Sequence, residues 1–115
     1  MEIRRIAVGA RMSAAVVHGN TVYLAGHVAG DRSRGVAGQT EEILRRIDER
    51  LAEAGTDKSK VLSANIWLAD MVTFEEMNGV WDGWVAPGCA PARATVEAKL
   101  ASPDYLVEIA VIAAT

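Results

Sequence analysis

Residues 41–68, EEILRRIDERLAEAGTDKSKVLSANIWL, change hydrophobic period midway, and that change decides the fold. In the first part Ile43, Leu44, Ile47 and Leu51 recur at helical spacing. Glu41, Glu42, Arg45, Arg46, Asp48, Glu49 and Arg50 fill the remaining positions, which describes a helix with one apolar face. Gly55 supplies a left-handed stop. From Val61 the period drops to two, with Leu62, Ala64, Ile66 and Leu68 alternating with Ser63, Asn65 and Trp67. This predicts a strand packed on the preceding helix.

Upstream, residues 2–8 (EIRRIAV) are rich in strand formers, and residues 14–17 run into a His18-Gly19-Asn20 turn. Residues 21–28 (TVYLAGHV) return as a third strand and complete a hairpin. Residues 30–38 (GDRSRGVAG) read as an exposed loop. Downstream, Thr73 and Glu76 have the spacing of a capping box, and Phe74, Met77, Val80, Trp81 and Trp84 form the apolar stripe of a second helix over 74–85. Pro87, Gly88 and Pro91 break the chain. Ala94, Val96, Ala98 and Leu100 then alternate with Arg93, Thr95, Glu97 and Lys99, and Ser102-Pro103-Asp104 turns the chain into a last strand over 105–113.

The order is β-β-β-α-β-α-β-β, which predicts an α+β fold with both helices on one face of a mostly antiparallel sheet. The other face is expected to display Arg93, Thr95, Glu97 and Lys99, and a closed symmetric oligomer is the natural cover for it. At 115 residues there is room for one domain, spanning 1–115. A net charge of −3 without a basic stripe disfavours nucleic-acid binding. The single cysteine, Cys89, makes no internal disulfide, and no apolar run is long enough for a signal peptide or a membrane span, so cytoplasmic residence is expected. With two histidines, one cysteine and no ligand spacing, no metal site is expected.

Arg93 and Glu108 stand out. Arginine is a planar fork suited to a carboxylate, and a glutamate inside the apolar run LVEIAVIAA is costly unless paired or employed. Burial raises a carboxyl pKa and makes it useful as a general base or acid near neutrality. Equally compatible with the spacing is a plain structural pairing of Arg93 and Glu108 with each other, or with Lys99 and Glu97.

Five stretches resemble the RidA/YjgF family in order: MSAAVVHGNTVYLAGHVAGD, GQTEEILRRIDERLAEAGTDKSKVLSANIWLAD, FEEMNGVWDGWV, APARATVEAKL and VEIAVIA. The Pro-Ala-Arg motif and the closing Val-Glu-Ile strand are its most specific marks, and the chain is similar to a short branch without a long N-terminal segment. The resemblance implies a chorismate-mutase-like fold, a homotrimer with ligand clefts at subunit interfaces, and hydrolysis of small 2-imino acids such as 2-iminopropanoate without metal or organic cofactor. It assigns Arg93 to the substrate carboxylate and Glu108 to the attacking water, and it places Asn78 and the backbone of Gly26 beside the ligand. Met12, Ala25 and Thr95 stand where many members carry tyrosine, serine and cysteine, which implies a more apolar cleft. The rival expectation is a non-catalytic, carboxylate-binding regulatory trimer.

Among smaller signals, His27 is expected to be structural or part of the cleft wall. Trp67, Trp81 and Trp84 are expected to pack in the core, and Asp31, Asp57, Asp70 and Asp82 to be solvated or to cap turns.

Overall fold

The computed structural model describes all residues 1–115. Strands β1 (Ile3–Val8), β2 (Ser13–His18) and β3 (Thr21–Leu24) precede helix α1 (Val36–Glu53). Strand β4 (Val61–Leu68), helix α2 (Phe74–Trp84) and strands β5 (Ala92–Glu97) and β6 (Val107–Ala114) follow. The predicted element order is the observed one. The strands form one six-stranded sheet in the order β1-β2-β3-β6-β4-β5, antiparallel except for the β4/β5 pair.

Alternation in the strands and the stripes of the helices meet in one core. Ala64, Ile66 and Leu68 of β4, Val107, Ile109 and Val111 of β6, and Val22 and Leu24 of β3 are buried with Ile43, Leu44, Ile47 and Leu51 of α1 and Met77, Trp81 and Trp84 of α2. The two helices are cross-tied where Trp84 Nε1 donates to Asp48 Oδ1 at 3.0 Å. Helix α1 ends as its glycine predicts. Gly55 sits at φ 85°, its N–H donates to Ala52 O (3.0 Å), and Thr56 N–H donates to Leu51 O (2.9 Å), closing both bonds of a Schellman motif.

Several expectations change on folding: α1 begins at Val36, inside the 30–38 segment read as an exposed loop, and β6 begins at Val107, not 105. The last two strands do not pair as a hairpin, because β4 lies between β5 and β6. Strand β3 stops at Leu24 instead of reaching residue 28, and an isolated bridge joins His27 to Ile109 beyond it. Since Tyr23 opposes Ile112 and His27 opposes Ile109, Leu24, Ala25 and Gly26 stand against only Ala110 and Val111. This is a β-bulge. The capping box does not form: Thr73 Oγ1 donates to Asp70 O (2.7 Å), because a short 3-10 turn over Met71–Thr73 leads into α2. Glu76 instead accepts from Ala37 N–H at the start of α1 (3.2 Å). Asp31, Asp57 and Asp70 do cap turns, accepting from the N–H of Ser33, Ser59 and Val72.

Glu42, read as part of the polar helix face, is buried. Its carboxylate accepts from Gly30 N–H (2.5 Å) and Asp31 N–H (3.1 Å) and pairs with Arg46 (3.0 Å), which tethers the 30–35 loop to α1. The Gly30 and Asp31 N–H groups, with Arg46, hold this carboxyl below the usual glutamate range. Glu42→Ala strands two backbone donors, so urea titration at pH 7 should show unfolding free energy lower by about 1–3 kcal/mol. Because the folded pKa is depressed, the difference from wild type should shrink as the pH falls below about 4.5.

Candidate functional site

Arg93 and Glu108 emerge from opposite faces of the sheet. The parallel register sets Arg93 beside Ala64 and Thr95 beside Ile66, and both partners are buried beneath the helices. The antiparallel register sets Glu108 beside Trp67, the alternate residue of β4, which faces the side without helices. The expectation that Arg93, Thr95 and Glu97 share the open face is therefore corrected: the β5 residues there are Ala92, Ala94 and Val96. The structural pairing also fails. The ion pairs of the chain are Arg34–Glu41, Arg46–Glu42 and Arg50–Glu53, and Glu97 accepts from Met71 N–H at 2.9 Å.

On the helix face the Arg93 guanidinium carbon lies 5.4 Å from the Trp81 ring centroid and 5.7 Å from that of Phe74, within cation–π reach of both. Phe74, Asn78 and Trp81 are spaced i+4 and i+3 along α2, so they share one stripe of the helix. Asn78 Oδ1 and Thr95 Oγ1 are buried and have no hydrogen-bond partner within the chain. The Asn78 amide nitrogen is turned to Glu75 Oε1 at 3.4 Å, which leaves the oxygen as the free end. An unpaired buried polar atom costs about 1–3 kcal/mol, and such atoms are few in native proteins. One of the two, Thr95, is on the same strand as the unpaired Arg93 guanidinium, and the other, Asn78, is on the helix stripe that carries its aromatic neighbours.

On the open face Glu108 lies against Gly26. A Cβ built at Gly26 would overlap Glu108 Oε2 and stand 3.0 Å from its carboxyl carbon. Trp67, Lys99, Leu100 and Glu108 help to line a cavity of about 270 Å³ beside it. Ala25 N–H donates to Ala14 O (3.0 Å), which sets the exposed Met12 turn at the same end of the sheet as Gly26. No helix covers this face. Val16, Tyr23, Ala110, Ile112 and Val96 share it, with Tyr23 46% and Val96 51% exposed.

Phe74 and Trp81, expected from their spacing only as part of a buried stripe, also form the aromatic seat of Arg93. Trp67, expected in the core, is on the open face, the side shared by Ser63 and Asn65 in the alternation of β4. His27 faces α1, since its bridge partner Ile109 is buried there. Its Nδ1 carries the proton donated to Ala25 O at 2.7 Å. Of its two expected places it takes the structural one, away from Glu108.

The layered fold defines a small α+β protein with an unpaired guanidinium and an unpaired carboxylate on opposite sides of one sheet. A sequence model of the family described as endoribonuclease L-PSP matches residues 2–115. The RutC family protein YoaB of Escherichia coli K12 is 45% identical over 114 residues, 99% of each chain. A RutC family protein of Haemophilus ducreyi is 46% identical over 112 residues, 97% of this chain and 96% of that one. The crystal structure of a YjgF family member from Neisseria meningitidis superposes with a TM-score of 0.95 at 47% identity, covering 100% of this chain and 96% of the other. The chain belongs to this RutC/YjgF family, also described as L-PSP.

Burial holds the His27 imidazole below its ordinary pKa against the hydrogen bond to Ala25, and the Arg50 and Arg46 charges lower it further. The unfolded chain then takes up this proton more readily than the folded one, so His27 favours folding above about pH 6.5 and this contribution is lost as the pH falls through the folded pKa. Between pH 7.5 and 5.5 the wild-type melting temperature should drop more than that of His27→Gln, as differential scanning calorimetry would show.

Proposed function

We propose that the protein is a cofactor-independent imine deaminase that hydrolyses small 2-imino acids, such as 2-iminopropanoate, to 2-oxo acids and ammonia. The observation that carries this reading is the division of the site. One chain bears an unpaired guanidinium with two orphaned polar atoms on one face and an unpaired carboxylate on the other, so a complete cleft requires two chains. The uncovered, largely apolar sheet face supports the same conclusion, since a closed symmetric assembly would bury it. The assembly is a homotrimer with a cleft at each subunit interface, Arg93 contributed by one chain and Glu108 by its neighbour.

In this cleft Arg93 takes the substrate carboxylate through a bidentate pair of N–H donors, and the positive charge draws electron density from the adjacent imine carbon. Asn78 and Thr95 lie on the Arg93 side, while Gly26 and the Met12 turn lie on the Glu108 side. Glu108 holds a water against the imine carbon and accepts its proton as the C–O bond forms and the C=N π pair moves to nitrogen. The protonated carboxyl returns that proton to nitrogen to give the carbinolamine; Glu108 then takes the hydroxyl proton and passes it to the amino nitrogen, so that the C–N bond breaks, ammonia leaves and the C=O bond forms. Free imines already hydrolyse in water, so orientation and proton transfer are sufficient contributions.

The family's description as an endoribonuclease finds little support in this chain, whose net charge is −3 and which lacks a basic stripe for phosphates.

The test uses imino acids generated in situ by an amino-acid oxidase, with their decay followed with and without protein. Acceleration over buffer is expected, and Arg93→Ala and Glu108→Ala should each lower it by about 100-fold or more, since each removes a positioned group of general acid–base or electrostatic type. When the two variants are co-expressed and assembled together, about a quarter of the clefts in a random cyclic assembly recover both native residues. Activity should return to about that fraction. No acceleration with any imino acid would favour a non-catalytic carboxylate-binding trimer, and no recovery in mixed assemblies would refute a shared cleft.

A further inference from the structure

We infer that Gly26 is a positioning residue for Glu108: the bulge at the end of β3 and the missing Cβ together create the space in which the Glu108 carboxylate is held. This inference rests on the proposed role of Glu108.

Without the extra residue, strict alternation from Tyr23 would send Gly26 to the helix side and His27 to the open face. The bulge reverses this. His27 pairs with Ile109 through two backbone hydrogen bonds, N–H to Ile109 O at 2.8 Å and Ile109 N–H to its own carbonyl at 3.1 Å, so its side is set by Ile109, which is buried beneath the helices. Gly26 is thereby delivered to the face of Glu108, diagonally across from it on the far side of the His27–Ile109 bridge. There the carboxylate lies over the Gly26 Cα, where a Cβ would overlap Oε2 and crowd the carboxyl carbon at 3.0 Å and Cγ at 3.3 Å. On the other side Glu108 stands beside Trp67, its direct partner on β4. The side chain is thus confined between a backbone without a Cβ and an indole-bearing strand, with no hydrogen bond from the chain to hold it.

Gly26 does not have a positive φ, unlike Gly19, Gly55 and Gly88, so the backbone itself has no need of glycine here. The atoms that a methyl group would meet first belong to the far end of one flexible side chain. A Gly26→Ala protein should therefore fold, with the Glu108 carboxylate turned away.

Three measurements test this. In the imino-acid assay Gly26→Ala should lower kcat about 10- to 100-fold with KM within about threefold, as expected when a group acting in the transition state is misplaced. In a Glu108→Ala background the same substitution should cost nothing further, because the two changes act on one group. Equal losses in both backgrounds would overturn the inference in favour of an independent contact between the Gly26 backbone and the ligand. A harmless Gly26→Ala beside a damaging Glu108→Ala would overturn it while leaving the proposed reaction standing. The third readout needs no turnover: the 13C carboxyl resonance of Glu108, assigned by its loss in Glu108→Gln, should shift in Gly26→Ala. An unchanged resonance would overturn the inference even in a chain that hydrolyses nothing.

Discussion

The constraint on which this structure depends is the two-residue alternation of β4, the strand that separates the two polar groups of interest. Ala64 and Ile66 face the helices and carry the register of Arg93 and Thr95 with them, while Trp67 faces away and carries Glu108. The guanidinium and the carboxylate therefore leave the sheet on opposite sides. That division, with the sheet face that no helix covers, is what supports the proposal of a cleft shared between chains.

Around this divided sheet, buried polar side chains perform fastening tasks with all their bonds made. Gln39 is fully buried, donates to Arg34 O and Asp104 O at 3.0 Å each, and accepts from Leu106 N–H at 3.0 Å. It ties the loop before α1 to the β5–β6 connection, and Glu42 anchors the 30–35 loop by the same logic. Asn78 Oδ1 and Thr95 Oγ1 contrast with these satisfied groups. In a chain that fastens Gln39 and Glu42 so fully, these two orphaned atoms stand out, and the proposed ligand would supply their missing partner.

The fold was legible because its signals are local. The switch of period between Leu51 and Val61, the glycine at position 55, and the proline-glycine break at 87–91 each report on a few neighbouring residues, and the element order follows from them. Misreadings arose where a long-range partner overrode a local rule. Glu76 found the start of α1, 39 residues away, and left Thr73 to the nearby carbonyl of Asp70, so the capping box dissolved. Glu42 found two loop N–H groups and went inside. The β5–β6 connection skipped over β4, because pairing order in a sheet is a property of the whole core and not of a turn sequence.

The sequence by itself determined the α+β class, the two amphipathic helices, the family with its Pro-Ala-Arg arginine, Arg93, and Glu108 as a charge that an apolar strand would not carry without cause. Tertiary structure alone decided that these two residues face away from each other, that Phe74 and Trp81 seat the arginine, and that a bulge turns Gly26 toward the glutamate. The physical reason is that composition and periodicity report what each residue prefers to be near, whereas facing and register are set by hydrogen bonds to strands distant in the chain. One inserted residue, as at Leu24–Gly26, reverses the side of everything beyond it.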